Sequence, residues 1–137
     1  MNVHRVKARR IAGTQWSEVL KSAMDLYKHI HRRSKRRPYV RSAYFQKEKI
    51  FLDYFWRHVH EKANFRDKIR RVKLYPCALE LIQQTRFDPD TKEHPHDRSH
   101  LLHRFHGQTP DGALFIVQIK QDKRTNEKWF LSVFPCK

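Results

Sequence analysis

The chain has 137 residues, and its 30 lysines and arginines outnumber its 14 aspartates and glutamates, so the formal net charge is +16. This excess favours a polyanionic partner, and a nucleic acid fits it better than an anionic membrane surface. No apolar stretch has the length of a membrane-spanning helix or a signal-peptide core. Only two cysteines occur, which excludes a disulfide-rich secreted scaffold. We therefore expect a cytoplasmic protein that has no membrane partner.

The first half of the chain is predicted to be helical and basic. Apolar residues recur at helical spacing in residues 14–31, with Thr14 as the expected N-cap, and again in residues 44–62. The connector between these helices holds the densest positive charge. It is either a phosphate-contacting arm or a solvated segment that keeps a cationic protein soluble. Under the first interpretation, its substrate-binding residues are Arg32, Arg33, Lys35, Arg36 and Arg37.

Two shorter helices are predicted next, over residues 64–73 and 75–84. The first is basic and adds Arg70 and Arg71 to the phosphate-contacting candidates. The second has Pro76 in its first turn, where a missing N–H is harmless. Residues 86–98 contain two prolines and no period, so we predict a loop, either a functional flap or a disordered excursion.

The last third of the chain is predicted to form strands. Runs at residues 100–106, 113–120 and 128–134 are separated by turns rich in Gly, Pro, Asp and Asn, which indicates an antiparallel meander. The fold class expected is α+β, with N-terminal helices followed by a small antiparallel β-sheet. We expect a basic helical region over residues 1–66 and an α+β domain over residues 67–137.

Polar side chains within these strands define the candidate site. Alternate residues of a strand face the same way. If helices cover the apolar faces, three polar residues of the last two strands line one open surface: Gln118, Lys120 and Ser132. The first strand can join this surface in two registers. One adds Arg104 and His106 and leaves His103 against the core, whereas the other adds His103 together with His100.

Four segments of the second half resemble the phage-associated nuclease-like families grouped with barnase, EndoU, colicin E5 and D and RelE. The segments are YPCALELI at residues 75–82, LHRFHG at 102–107, FIVQIK at 115–120 and LSVFP at 131–135. The resemblance covers roughly residues 70–137. It implies helices followed by a small antiparallel sheet, and many members of these families cleave RNA without a metal.

Cleavage of RNA without a metal needs a base for the 2′-hydroxyl proton, cations for the phosphate charge and an acid for the leaving oxygen. Histidine titrates near neutrality, whereas arginine and lysine stay charged and hold phosphate. The candidate catalytic residues are therefore His103, which is the favoured proton-transfer group, Arg104, His106, Lys120 and Ser132, and Gln118 and His100 are candidate substrate-binding residues. The histidines of residues 94–106 lack the spacing of a tetrahedral metal site, so neither a metal nor another cofactor is expected.

Three functions remain open at this point. The leading one is a metal-independent endoribonuclease of the phage or toxin type, with RNA favoured over DNA as its nucleic-acid partner. The second is a non-catalytic nucleic-acid-binding module that uses the same surface. The third is an interaction protein, of the antitoxin or phage-inhibitor kind. An acidic antitoxin or immunity protein is a further candidate partner of a toxin.

Overall fold

The computed structural model describes residues 2–34, 36–61 and 64–136. In these ranges the helices are α1 (Trp16–Arg33), α2 (Asp53–His60), α3 (Phe65–Lys73) and α4 (Tyr75–Gln84). The strands are β1 (His4–Arg5), β2 (Tyr39–Ser42), β3 (Glu48–Phe51), β4 (Asp90–His94), β5 (Asp97–Gln108), β6 (Leu114–Asp122) and β7 (Lys128–Pro135). None of the described helices is both long enough and apolar enough to cross a membrane.

The strands described form a single mixed sheet, which is curled into a half-barrel. Its order is β1-β5-β6-β7-β3-β2, and β4 pairs with β5 off this path. The pairs β1–β5 and β3–β7 are parallel, and the other pairs are antiparallel. The predicted fold class is therefore wrong. The sheet is larger than expected and mixed, and the helices lie mostly in the middle of the chain instead of preceding the sheet.

A β-hairpin occupies much of the segment that was predicted as the second helix. β2 and β3 pair antiparallel, with Tyr39 opposite Phe51, and helix α2 covers only Asp53–His60. The turn of this hairpin places Gln46 and Lys47 at φ 56° and 66°, a left-handed conformation that glycine or asparagine usually adopts. Neither residue is typical of a turn, so the sequence gives no sign of a hairpin here. The apolar spacing of the segment also fits a helix, which is why a helix was predicted.

The segment predicted as a loop over residues 86–98 contains β4, so this prediction is also wrong. β4 pairs antiparallel with β5, and Asp90 lies opposite Arg104. Four of its five residues are exposed. Because the strand has no buried face, its sequence lacks the alternation of apolar and polar residues by which a strand is recognised.

The other predicted elements are found. α1, α3 and α4 lie within two residues of their predicted bounds, and β5, β6 and β7 form the antiparallel meander. The predicted cap is wrong, because α1 has Gln15 at its N-cap and no side-chain cap. Asn64 does cap α3, since its side-chain oxygen accepts a hydrogen bond from the Asp67 N–H at 3.1 Å.

One hydrophobic core lies between the helices and one face of the sheet. Phe55 of α2 and Phe130 of β7 stack there, with ring centroids 4.6 Å apart and planes 4° from parallel. Strand β3 lies before residue 66 in the chain, and it pairs with β7, which lies after residue 66. Strands from both sides of the expected boundary at residue 66 therefore share this sheet, and polar residues lie on its other face.

Candidate active site

The candidate site lies on the sheet face opposite the hydrophobic core. Cross-strand pairs place Arg104 beside Gln118 and Gln118 beside Ser132, while Lys120 lies beside Leu102. We call this surface the open face; its residues are His100, Leu102, Arg104, His106, Ile116, Gln118, Lys120, Trp129, Ser132 and Phe134. The structure thus adopts the register that groups Arg104 and His106 with Lys120.

A β-bulge determines which residues of β7 reach the open face. The pairing of β6 with β7 shifts between Gln118 and Ile119, so that Gln118 lies opposite Ser132 and Ile119 lies opposite Phe130. Phe130 therefore enters the core, and Trp129 turns to the open face beside Lys120. Strict alternation along the sequence places Phe130 with Ser132, and for this reason sequence analysis missed Trp129.

Arg104 is a cation with unused hydrogen-bond donors. Its guanidinium lies 5.8 Å from the centroid of the Phe134 ring, and the Arg71 guanidinium of α3 lies 5.4 Å from the same ring. Arg71 is paired with Asp67 at 2.8 Å. The Nε of Arg104 is buried and has no partner in the described part of the chain. A buried donor without a partner is costly, and an anionic ligand would satisfy it.

Gln118 and Ser132 form the floor of the open face. Gln118 is only 8% exposed and Ser132 only 3%. The Ser132 hydroxyl donates a hydrogen bond to the Gln118 Oε1 at 3.3 Å. Because Ser132 is buried and already bonded, it is a poorer contact for substrate than the sequence suggested. The pair holds β6 and β7 in register beneath Arg104 and Lys120.

The opposite end of the open face is built around Trp129. The Lys120 ammonium lies 5.8 Å from its ring centroid, and the His100 ring lies 5.7 Å away. The indole Nε1 is buried and lacks a hydrogen-bond partner among the described residues. Neither Lys120 nor Arg104 forms an ion pair within the described ranges. Both cations therefore remain available to an anionic ligand.

His100 is held between two carboxylates. Its Nδ1 lies 2.5 Å from Asp97 Oδ2, and its Nε2 lies 3.8 Å from Asp122 Oδ2. The pKa of Asp97 is lowered to about 2, first by the Ser99 hydroxyl and backbone N–H and then by His100. Asp97 is therefore a carboxylate at neutral pH. Both nitrogens of His100 thus face acidic partners.

His106 has a different arrangement. Its Nε2 lies 2.9 Å from Asp90 Oδ2, and no described residue hydrogen-bonds to its Nδ1. The side chain of His106 is 15% exposed, so part of the ring is open to solvent. Asp90 comes from β4, which sequence analysis missed, and it lies opposite Arg104. An imidazole with one nitrogen on a carboxylate and one free can accept a proton.

His103 does not join this site. It lies opposite Ile119 on the core face and is 6% exposed. Its Nδ1 is 2.8 Å from the Thr91 hydroxyl, and its Nε2 is 2.7 Å from the Gln121 Oε1. Burial lowers the pKa of His103, and the Lys128 charge adds to this against the opposing effect of the Gln121 hydrogen bond, so the neutral imidazole is favoured at neutral pH. The prediction that favoured His103 for proton transfer is corrected: it is a hydrogen-bonded core residue.

A second basic surface lies at the far edge of the sheet. Two adjoining clefts of about 850 and 630 Å³ share Arg33, Ser34 and Tyr39. We call them together the edge groove; its lining cations are Arg33, Arg36, Arg37, Arg41, Lys47, Lys49 and Arg86. The run of charge in the sequence indicated Arg33, Arg36 and Arg37 but not the other cations, because β2 and β3 were predicted as parts of a connector and a helix.

The cations of α3 are not part of this groove. Trp16 contacts Phe65, and the Ile11 N–H donates to the Lys73 carbonyl, so α3 lies beside the start of α1. Arg33 is at the other end of α1, about 25 Å away at 1.5 Å per residue. Arg70 and Arg71, which the sequence grouped with Arg33 as phosphate-contacting candidates, therefore lie apart from it. Arg71 reaches the open face, Arg70 and Arg32 are exposed outside both surfaces, and Lys35 lies outside the described residues.

Comparisons with protein-family models, with curated proteins and with solved structures found no match for this chain. Among the residues that the structure describes, no group of three or more His, Cys, Asp or Glu side chains is placed to hold a metal ion. The geometry of the open face and of the edge groove is therefore the basis for the functional interpretation.

Proposed function

We propose that this protein is a metal-independent endoribonuclease whose active site is the open face. The observation that carries the proposal is the free nitrogen of His106. Of the histidines on β5, His103 and His100 have both ring nitrogens engaged, His103 by the Thr91 hydroxyl and the Gln121 side-chain carbonyl oxygen and His100 by two carboxylates, whereas His106 keeps Nδ1 unbonded among the described residues. It lies two residues from Arg104, which is an unpaired cation.

The proposed reaction uses the ribose 2′-hydroxyl as nucleophile. His106 Nδ1 accepts its proton, the 2′-oxygen bonds to phosphorus, and the bond from phosphorus to the 5′-oxygen breaks. Water protonates the leaving oxygen, so the products are a 2′,3′-cyclic phosphate and a 5′-hydroxyl. Asp90 at Nε2 stabilises the imidazolium that forms. RNA is the expected substrate, since DNA lacks the 2′-hydroxyl.

Arg104 and Lys120 are the proposed phosphate ligands. Lys120 of β6 lies opposite Leu102, which precedes Arg104 by two residues on β5. The backbones of such diagonal neighbours are about 7–8 Å apart. Side chains of this length reach a common phosphate from both positions. Their charges offset the negative charge that grows on the non-bridging oxygens during the reaction. Phe134, which flanks Arg104 and is partly exposed, offers a ring against which a neighbouring base can stack, whereas Trp129 is buried beside Lys120.

His100 is assigned to substrate positioning instead of proton transfer. It lies six residues from His106 along β5, a separation of about 20 Å. Both histidines therefore cannot act on one phosphate. His100 also resembles His106 in having a carboxylate partner, which makes it a matched control.

The test is cleavage of end-labelled RNA in buffer that contains a chelator. The parent protein should produce 2′,3′-cyclic phosphate ends and leave a 2′-O-methyl oligonucleotide intact. His106→Ala should lower the rate about a hundredfold or more, with partial rescue by added imidazole, and His100→Ala should lower it much less. Intact RNA with the parent protein, or a parental rate in His106→Ala, would overturn the proposal.

The second candidate function is a non-catalytic nucleic-acid-binding module. The edge groove favours it, because its described lining residues include seven cations and no histidine or carboxylate that could move a proton. Salt-dependent binding of RNA without cleavage would select this function.

The sequence resemblance adds a biological setting to the leading proposal. It suggests a phage-related or toxin-type nuclease that acts in the cytoplasm and is inhibited by an acidic antitoxin or immunity protein. The net charge of +16 supports an acidic inhibitor, because a protein of opposite charge associates rapidly with such a surface.

A further inference from the structure

We propose that the edge groove is a second RNA site, which holds the phosphate backbone of the substrate away from the cleaved bond. The proposal rests on the proposed function for the identity of the substrate, but it concerns a different part of the molecule. β2 and β5 are separated by β6, β7 and β3 in the sheet order. Four inter-strand steps of about 4.8 Å correspond to roughly 20 Å along the sheet.

The outer face of the β2–β3 hairpin places two cations side by side. Arg41 and Lys49 are directly opposite each other across the two strands. Like charges in this position are destabilising. No carboxylate lines either cleft, and neither cation forms an ion pair with a described residue. A bound anion would remove this repulsion.

Aromatic rings hold these cations in place. The Arg41 guanidinium lies 5.4 Å and the Lys49 ammonium 4.7 Å from the centroid of the Tyr39 ring. Tyr39 packs edge to face against Phe51, at 6.4 Å between centroids, and the Arg37 guanidinium lies 4.1 Å from the Phe51 ring. Cations that are already ordered lose less conformational entropy when they bind a ligand.

Arg37 differs from the other cations of the groove. It pairs with Asp53 at 2.9 Å and with Glu127 at 3.0 Å, and it thereby links the loop after α1 to α2 and to the turn before β7. Its charge is already compensated. The phosphate contacts are therefore assigned to the unpaired cations that flank it: Arg33, Arg36, Arg41, Lys47, Lys49 and Arg86.

A polynucleotide fits the groove better than an acidic peptide added as a further strand. β2 is the last strand in the sheet order, but α1 and α4 both contact it. The clefts lie between β2 and the ends of these helices, where Arg33 and Arg86 approach from the helix side. Side-chain cations on both walls suit a flexible backbone with regularly repeated charge.

The test measures binding of an uncleavable 2′-O-methyl oligouridine of twenty nucleotides over a range of salt concentrations. The groove variant carries Arg33→Gln, Arg41→Gln and Lys49→Gln, and a matched variant carries Arg5→Gln, Lys28→Gln and Arg124→Gln, which removes equal charge at exposed positions outside both surfaces. The slope of log affinity against log salt should fall by about two units in the groove variant, because each of its three lost phosphate contacts lowers the slope by about 0.7.

The matched variant should keep a slope close to that of the parent protein. Equal slopes in the two variants would overturn the proposal, as would loss of poly-glutamate binding in the groove variant with its RNA binding unchanged. Because this oligonucleotide cannot be cut, the result does not depend on whether the protein cleaves RNA.

Cleavage provides a second measurement. The groove variant should cut a twenty-nucleotide RNA with a KM raised several-fold, while its cleavage of a dinucleotide should be unchanged, because a dinucleotide is too short to span both surfaces. Equal losses on the two substrates would contradict a separate backbone site. An inactive parent protein with a groove-dependent salt slope would reject the nuclease and retain the groove.

Discussion

The open face and the edge groove are both cationic, but they differ in the groups that accompany the cations. On the open face, Arg104 and Lys120 lie among histidines that are held by carboxylates. In the edge groove, no described lining residue is a histidine, and Arg37 is the one described lining cation that pairs with carboxylates. A phosphate can be bound at either place, but a proton can be moved only where an imidazole is present. The comparison therefore separates chemistry from affinity, and substitutions can test that separation.

The largest effect is expected from Arg104. Arg104→Ala should lower kcat about a hundredfold or more, because the guanidinium acts on charge that develops in the transition state. Arg41→Ala, the matched change in the edge groove, should leave kcat unchanged and raise KM several-fold. Steady-state cleavage of a long RNA measures both constants. If the two variants lost kcat equally, the two surfaces would not have separate roles.

A smaller effect is expected from Phe134, whose ring contacts the guanidiniums of both Arg71 and Arg104. Each cation–π contact contributes about 0.5–1 kcal/mol, so Phe134→Ala should lower the cleavage rate about two- to fivefold by releasing Arg104. Phe134→Leu keeps most of the bulk but not the ring face. It should lose as much activity as Phe134→Ala while melting closer to the parent protein; parental activity in Phe134→Leu would show that bulk alone positions Arg104.

The smallest effect concerns His103, which belongs to neither surface. Burial lowers its pKa in the folded protein, so between the unfolded and the folded pKa the unfolded chain binds more protons. Its contribution to stability is therefore complete above the unfolded pKa and is lost as the pH falls towards the folded value. His103→Gln should weaken this acid dependence without abolishing cleavage. Denaturant unfolding at pH 7 and pH 5 measures this acid dependence in the parent protein and in the variant. If the free energy of unfolding changed equally between the two pH values in both proteins, the assignment of His103 to the core would be contradicted.

Much of the open face could be predicted from the sequence, because its residues follow the alternation of three consecutive strands. Gln118, Lys120 and Ser132 share a face as predicted. The choice between His103 and His106 depends on the register of β5, which only cross-strand pairing determines. The placement of Trp129 on the open face depends on a β-bulge in β7, and the placement of Asp90 beside His106 depends on the exposed strand β4. No local pattern in the sequence indicates either feature.

The edge groove was less predictable for a different reason. Its arginines after α1 stand out as a run of charge, but Lys49 and Arg86 come from separate segments that the fold brings together. The hairpin that carries Arg41 and Lys49 turns at Gln46 and Lys47, which are residues that seldom adopt a left-handed conformation. A sequence without the usual turn residues conceals such a hairpin.

The parallel pairing of β3 with β7 also has a consequence for folding and truncation. Ile50 pairs with Lys128, and Phe51 with Trp129, so the contact closes a loop of nearly eighty residues. Contacts of this range form slowly, because the chain must lose loop entropy before the pairing is made. A fragment that lacks β2 and β3 would leave one edge of β7 unpaired and prone to intermolecular strand pairing. We therefore expect the C-terminal half to aggregate when it is produced alone, whatever activity its side chains encode.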